Sequence, residues 1–180
     1  MTISRTTLIL AVVFTIGLGH IIFFEPRLKN TMERQSSANR VLKVTAEEVQ
    51  RIRIRRDHWT SALIERTGEH SFRIAEPAAA AADSGLVARL LSALEFMERQ
   101  AFFQSSAGDG MAHSAYGLDP AQLEISIELG RGREVHLVFG NKSSDGKGFY
   151  VQVWGDEGIN VVNTDAKQIA ESLLDSAQAI

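Results

Sequence analysis

The chain has 180 residues, 44% of them apolar and 23% charged, a formal net charge of −3 and no cysteine, which rules out disulfides, thiolate metal sites, a cysteine nucleophile and a lipidated cysteine. The small net charge hides an asymmetry. Residues 26–56 hold nine Lys/Arg against three Glu, whereas residues 57–180 hold nine Lys/Arg against eighteen Asp/Glu, a pattern that argues against general nucleic-acid binding and fits a chain leaving an anionic membrane for water.

Thr6 to Phe24 is a run of nineteen residues without formal charge, bounded by Arg5 and by Glu25-Pro26-Arg27. As a helix it spans about 28 Å, close to the hydrocarbon thickness of a bilayer. It ends in His-Ile-Ile-Phe-Phe rather than in a small-residue cleavage site, so an uncleaved anchor over residues 1–25 is expected instead of a signal peptide. Orientation is contested. Arg27, Lys29, Arg34, Arg40 and Lys43 outnumber Arg5, and a literal charge count puts the body in the cytoplasm. A short tail, one helix and a folded body instead make an ordinary signal anchor. That reading places the body on the extracytoplasmic side of the membrane. Ala11, Thr15 and Gly19 recur every fourth residue and form a small-residue stripe on which a partner helix can pack, the alternative being chance in a helix rich in small residues. His20 reads as a solvated interfacial imidazole, with haem or chlorophyll ligation as the rival.

Residues 26–40, ending in Gln35-Ser36-Ser37-Ala38-Asn39, read as a polar linker. The body, residues 41–180, is predicted to be α+β. A short strand over Val41–Val44 and a turn at Thr45–Glu48 lead to a strand in which Ile52 and Ile54 face the core and Arg51, Arg53 and Arg55 face away. That arginine ribbon is either a solvated strand face or a contact for lipid phosphates or an acidic partner. A hairpin turns at Thr67-Gly68-Glu69, with Leu63, Ile64, Phe72 and Ile74 as its apolar members and Pro77 at its end. Leu86, Val87, Leu90, Leu91, Leu94 and Met97 make a helical stripe, capped by Asp83 or Ser84. The second half repeats the scheme. Leu123, Ile125, Ile127 and Leu129 alternate with Glu124, Ser126 and Glu128, Gly130-Arg131-Gly132 turns the chain, and Val135, Leu137 and Phe139 return. A further hairpin turns around Gly155–Gly158. A last helix, capped by Thr164, carries Ile169, Leu173, Leu174 and Ala177 on its buried stripe. Strands followed by a helix, twice over, predict antiparallel β-sheet lobes at 41–100 and 101–180, each covered by an amphipathic helix, or else one sheet with two helices.

Tyr116-Gly117-Leu118-Asp119-Pro120 precedes the clean strand at Leu123. Gly117 permits positive φ, and Pro120 pushes Asp119 toward extended geometry. The run is expected to be a structural corner plugged by Tyr116 and Leu118, rather than a ligand loop.

With these motifs the chain resembles the bacterial family of domain of unknown function 4340. The resemblance rests on the Ile64-Glu65-Arg66-Thr67-Gly68 turn, the strand from Phe72 to Pro77, the helix from Leu86 to Met97, Tyr116–Pro120, Phe139-Gly140 and Tyr150-Val151. It covers most of residues 41–162 and departs at Ser71-Phe72-Arg73, where a Trp-x-hydrophobic pattern is common. The family is often met beside gliding-motility-type ABC transporter components. The resemblance therefore implies an accessory role in an envelope complex, and it brings no catalytic residue with it.

The sequence offers no local catalytic signature. His20, His58, His70, His113 and His136 make no metal-binding spacing. "GNKSSDGKGFY" lacks the order of a phosphate-cradling loop, and there is no Gly-x-Ser-x-Gly elbow. Glu124 and Glu128 lie on a strand with no sign of a cleft, and Asp109 sits in a stretch that reads as a polar connection. The expectation is a non-enzymatic single-pass accessory or scaffolding subunit without cofactor or metal. Its partners would be integral membrane subunits, met through the membrane helix and the body, and membrane lipid. The alternative is an extracytoplasmic ligand-binding sensor, and a hydrolase with a dispersed site comes third.

Overall fold

Nine antiparallel strands form one continuous sheet in the order β4-β3-β2-β1-β6-β7-β8-β9-β5. The computed structural model describes residues 39–104, 110–156, 158–163 and 165–180, and Arg40–Ile180 forms one compact unit. The strands are β1 (Val49–Arg55), β2 (Ser61–Arg66), β3 (Phe72–Glu76), β4 (Ala80–Ala81), β5 (Arg99–Gln104), β6 (Leu123–Leu129), β7 (Glu134–Lys142), β8 (Phe149–Val153) and β9 (Gly158–Val162). Within the described part of Arg40–Ile180 the helices are α1 (Ser84–Glu95), the short α2 (Gly110–Ala115) and α3 (Ala166–Gln178).

Period-two patterning fixes the faces of the central strands. Ile52, Ile54, Ile64, Ile125, Ile127, Leu137, Phe139 and Val151 are fully buried and belong to a single core with Leu90, Leu94, Leu173 and Leu174 of the helices. Helix α1 starts where Asp83 accepts hydrogen bonds from the Gly85 and Leu86 amides, satisfying two of the donors a helix start leaves open. It buries Val87, Leu90, Leu91 and Leu94; Met97 is buried just past its end. Helix α3 buries Ile169, Leu173, Leu174 and Ala177 and packs against α1, β1 and β2.

The repeated order of four strands and a helix is present in the topology, but the halves do not close as two lobes. β1 pairs with β6 in the middle of the sheet, Ile52 opposite Ile127 and Ile54 opposite Ile125. Helix α3 begins beside the second half, where Lys167 meets Gln122. It ends on the first, where Asp175 meets Arg56 at 3.0 Å and the Gln178 side chain donates to the Ser61 carbonyl. The physical reason is that the apolar side chains of β1 and β6 continue one another on the same face, so one helix layer buries both. Of the two arrangements left open by the sequence, one sheet with two helices is the one formed.

Other local differences follow from context. Val41–Val44 is extended chain rather than a strand, with Leu42 and Val44 buried, and Ala46–Glu48 is a 3-10 turn. β5, unmarked by alternation, leaves the end of α1 and pairs with β9 at the far edge. The last helix has Asp165 as its N-cap; Thr164 lies outside the described residues. No helix among the described residues is long and apolar enough to cross a membrane. The expected anchor, with Ala11, Thr15, Gly19 and His20, lies outside them, as does Asp109.

Candidate functional site

The face of the sheet opposite the helices is open over β1, β6 and β7. Its register builds one transverse row. Arg53 on β1 is opposite Ser126 on β6, and Ser126 is opposite His136 on β7. The Trp154 amide, just after β8, donates to the His136 carbonyl at 2.9 Å. The side chains follow the backbone. Ser126 Oγ lies 2.7 Å from His136 Nδ1, His136 Nε2 lies 3.1 Å from a Glu134 carboxylate oxygen, and the His136 and Trp154 rings are 5.3 Å apart. The row lies in a shallow cavity of about 560 Å³.

The arginine ribbon of β1 is on this face and is already partnered. Arg51 pairs with Glu128 at 2.6 Å, Arg53 with Glu76 at 2.8 Å, and Arg55 with Glu124. Each of these pairs is roughly half-exposed, so each contributes between about 0 and 1 kcal/mol. Their effect on recognition is larger. A lipid phosphate or acidic partner has to compete with a carboxylate already held at each guanidinium. Glu124 and Glu128, considered as a carboxylate pair, are spent on these arginines.

Ser126, His136 and Glu134 have the connectivity of a nucleophile, a base and an orienting carboxylate. Acyl-transfer chemistry also needs free donors aimed at a developing oxyanion. Ser126 is mid-strand, with β1 and β7 hydrogen-bonded on either side of it, so the ladders use the backbone amides around it.

The Tyr116–Pro120 corner crosses the same face farther along. Gly117 has φ 69°, its amide donates to the Ser114 carbonyl, and the Leu118 amide donates to the His113 carbonyl. Leu118 is buried. Tyr116 is not a core plug. It is half-buried against Tyr150 at 4.5 Å and Phe103 at 6.1 Å between ring centroids, while its carbonyl accepts from the Asn141 amide at 2.8 Å. The Asp119–Pro120 peptide is cis. The corner touches Gly140, whose missing side chain leaves room for the Tyr116 carbonyl. Phe139-Gly140 and Tyr116–Pro120 are thus two halves of one contact.

Beside that contact is a residue that no sequence motif marks out. Lys167, in the first turn of α3, is only 7% exposed. Its Nζ donates to Gln122 Oε1 at 2.6 Å and lies 4.6 Å from the Phe149 ring centroid; the Gly140 carbonyl is 3.5 Å away. Burial pushes its pKa below the usual lysine value, while Glu171 works the other way. The folded state therefore gives up this proton at a lower pH than the unfolded chain does. The resulting stability contribution grows as pH rises from the folded value toward 10.5. Lys167→Met is expected to lose that alkaline rise. Urea midpoints of both proteins across this range test it, and parallel profiles refute it.

The other motifs have local structural roles. Arg66, in the Glu-Arg-x-Gly-like turn, donates to the Val49 carbonyl at 2.7 Å and the Ala46 carbonyl at 2.6 Å, and its guanidinium lies 4.6 Å from the Phe72 ring centroid. It ties the hairpin to the chain entering β1, beneath a groove of about 980 Å³ against α1. In the Ser143–Gly148 loop, Ser143 Oγ donates to Asp145 and accepts from the Gly148 amide. Ser143 and the Lys147 amide hold the Asp145 carboxyl below its usual pKa, so the loop's polar groups satisfy one another. No group of three His, Asp or Glu side chains arranged for a metal ion occurs among the described residues.

No curated protein and no solved structure matches the chain. A family model described as "Domain of unknown function (DUF4340)" matches residues 73–177, from β3 through nearly all of α3. The matched span includes the corner, Gly140, the Ser126–His136 row and Lys167; the Ile64–Gly68 turn precedes it. Since 105 of its 180 residues fall within that span, the chain belongs to the DUF4340 family.

Proposed function

We propose that the protein is a non-enzymatic accessory or scaffolding subunit of a larger, transporter-associated membrane complex. In this reading residues 1–25 anchor it once in a bacterial inner membrane, and the body docks partners on the periplasmic side. The observation that carries it is the placement of the large exposed aromatics. Trp59 is 93% exposed at the tip of the β1–β2 hairpin, and Phe102 and Phe103 are half-exposed on edge strand β5. Asp57 holds the tip rigid by accepting from the Trp59 and Thr60 amides at 2.7 Å. A large apolar side chain displayed in water on a shaped turn favours a partner that buries it. The uncharged run Thr6–Phe24 and the Ala11, Thr15, Gly19 stripe supply the membrane half of the reading.

The test is purification of the full chain in mild detergent, followed by identification of stoichiometric partners. Gly19→Leu blocks close helix approach and Trp59→Ala removes the hairpin tip. Each is expected to lower partner recovery about tenfold, the effect of losing one central contact. Equal recovery from wild type and both variants, or no integral membrane protein among the partners, overturns the proposal. A second reading, an extracytoplasmic ligand-binding domain, is favoured by the open-face cavity.

A further inference from the structure

Trp154 is 78% exposed beside a cavity lined by charged and polar side chains together with Leu63, Leu137 and Val138. Its neighbours show what it can hold. Three guanidiniums (Arg51, Arg53 and Arg55) and three carboxylates (Glu124, Glu128 and Glu134) line the cavity, and Glu76, the partner of Arg53, adds a fourth carboxylate beside it, so the face carries no excess positive charge. The arginines are already paired with carboxylates. An anionic ligand meets no excess positive charge to draw it in. A neutral polyol needs no such field, and paired arginines and carboxylates retain spare N–H groups and lone pairs for hydroxyls. The cavity, about 560 Å³, is within the range of small-ligand sites. An indole beside polar side chains suits a ligand with one apolar C–H face and a hydroxylated edge.

We propose that the open sheet face binds a neutral saccharide. One pyranose ring stacks on Trp154, and its hydroxyls reach Ser126, His136, Glu134 and Arg53. The row is preorganised, since the Ser126–His136 and His136–Glu134 contacts hold the polar groups on a rigid central part of the sheet. This deepens the ligand-binding reading and is independent of the accessory role, which rests on Trp59, the edge strand and the membrane helix.

The experiment uses the full chain in mild detergent carrying Trp59→Phe, so that Trp154 is the sole tryptophan. Emission is followed while maltotriose, cellotriose and chitotriose are added separately, with inorganic phosphate and a heparin-derived hexasaccharide as charged probes. At least one neutral trisaccharide is expected to shift the emission saturably, with affinity unchanged when salt is raised. Trp154→Ala in the otherwise wild-type chain should weaken its binding by calorimetry about tenfold or more. Ser126→Ala should weaken it several-fold. Trp154→Ala should keep the wild-type melting temperature, because Trp154 is exposed, and Ser126→Ala should lower it by no more than a few degrees, the cost of one part-buried hydrogen bond. Failure of all three neutral trisaccharides, or saturation only by a charged probe with affinity that falls with salt, overturns the proposal. Undiminished calorimetric binding by a folded Trp154→Ala variant also overturns it. Partner recovery from Trp154→Ala should stay at the wild-type level, which separates this outcome from failure of the accessory reading.

Discussion

Phe139→Ala is expected to lower the stability of the body by about 3–5 kcal/mol, and Ile64→Ala by about 2–5 kcal/mol. Both side chains are fully buried in the one core, Phe139 from the second half and Ile64 from the first. Each truncation forfeits transfer free energy and leaves a void that a sheet gripped by two helices cannot collapse. The location of the effect matters as much as its size. Since β1 and β6 are paired and α3 spans both halves, either variant should move the same single transition. Calorimetry of the body and both variants checks this. Two resolved transitions, with each variant moving only one, would restore independent lobes.

The second large effect is expected at the corner. Gly117→Val combines two costs. At φ 69° a β-branched residue is strained, and the added Cβ falls 2.6 Å from the Asn141 side chain. A destabilisation of about 1–3 kcal/mol is expected from the backbone, with the steric conflict adding to it. Gly132→Ala separates the two terms. Gly132 has φ 72° with nothing within 4 Å of an added Cβ, so it carries strain alone and should cost about 1 kcal/mol. Gly140→Ala is the converse, because its new methyl lands on the Tyr116 carbonyl, backbone that cannot rotate away. Urea unfolding of the three variants should rank Gly132→Ala as the mildest. If Gly117→Val melts like wild type, the corner is not the constraint described.

Much of this fold was legible because alternation and helical stripes are strong signals. Ile52/Ile54, Leu123 to Leu129 and Leu86 to Leu94 each announce one buried face. β5 was hidden. Arg99–Gln104 lacks alternation and directly follows a helical stripe, and it becomes a strand only because β9 offers an edge. The pairing of β1 with β6 is likewise a tertiary fact, linking residues 69 to 80 apart, from Arg55 opposite Glu124 to Val49 opposite Leu129. Lys167 sits between Ala166 and Gln168 like any surface lysine, and only the Phe149 ring and Gln122 make it a buried one. The Ser126–His136 row was implicit in the Gly130-Arg131-Gly132 turn, which sets the register of β6 on β7, but a strand face reads as solvated until its neighbours are known.

The central ladder also bears on how the body reaches its folded state. The β1–β2 and β2–β3 hairpins form from neighbours in the chain, as do β6–β7 and β7–β8. The seam between them, with Val49 opposite Leu129, and the pairing of β5 with β9 join segments far apart in the chain. Closing such long loops costs entropy before any contact compensates, which places folding toward the slow, millisecond-to-second end for domains of this type. During that interval the apolar edges of β1 and β6 are templates for any other extended chain. Nascent copies at high local density are therefore most vulnerable to mispairing at the strand pair that becomes the best-protected part of the finished sheet.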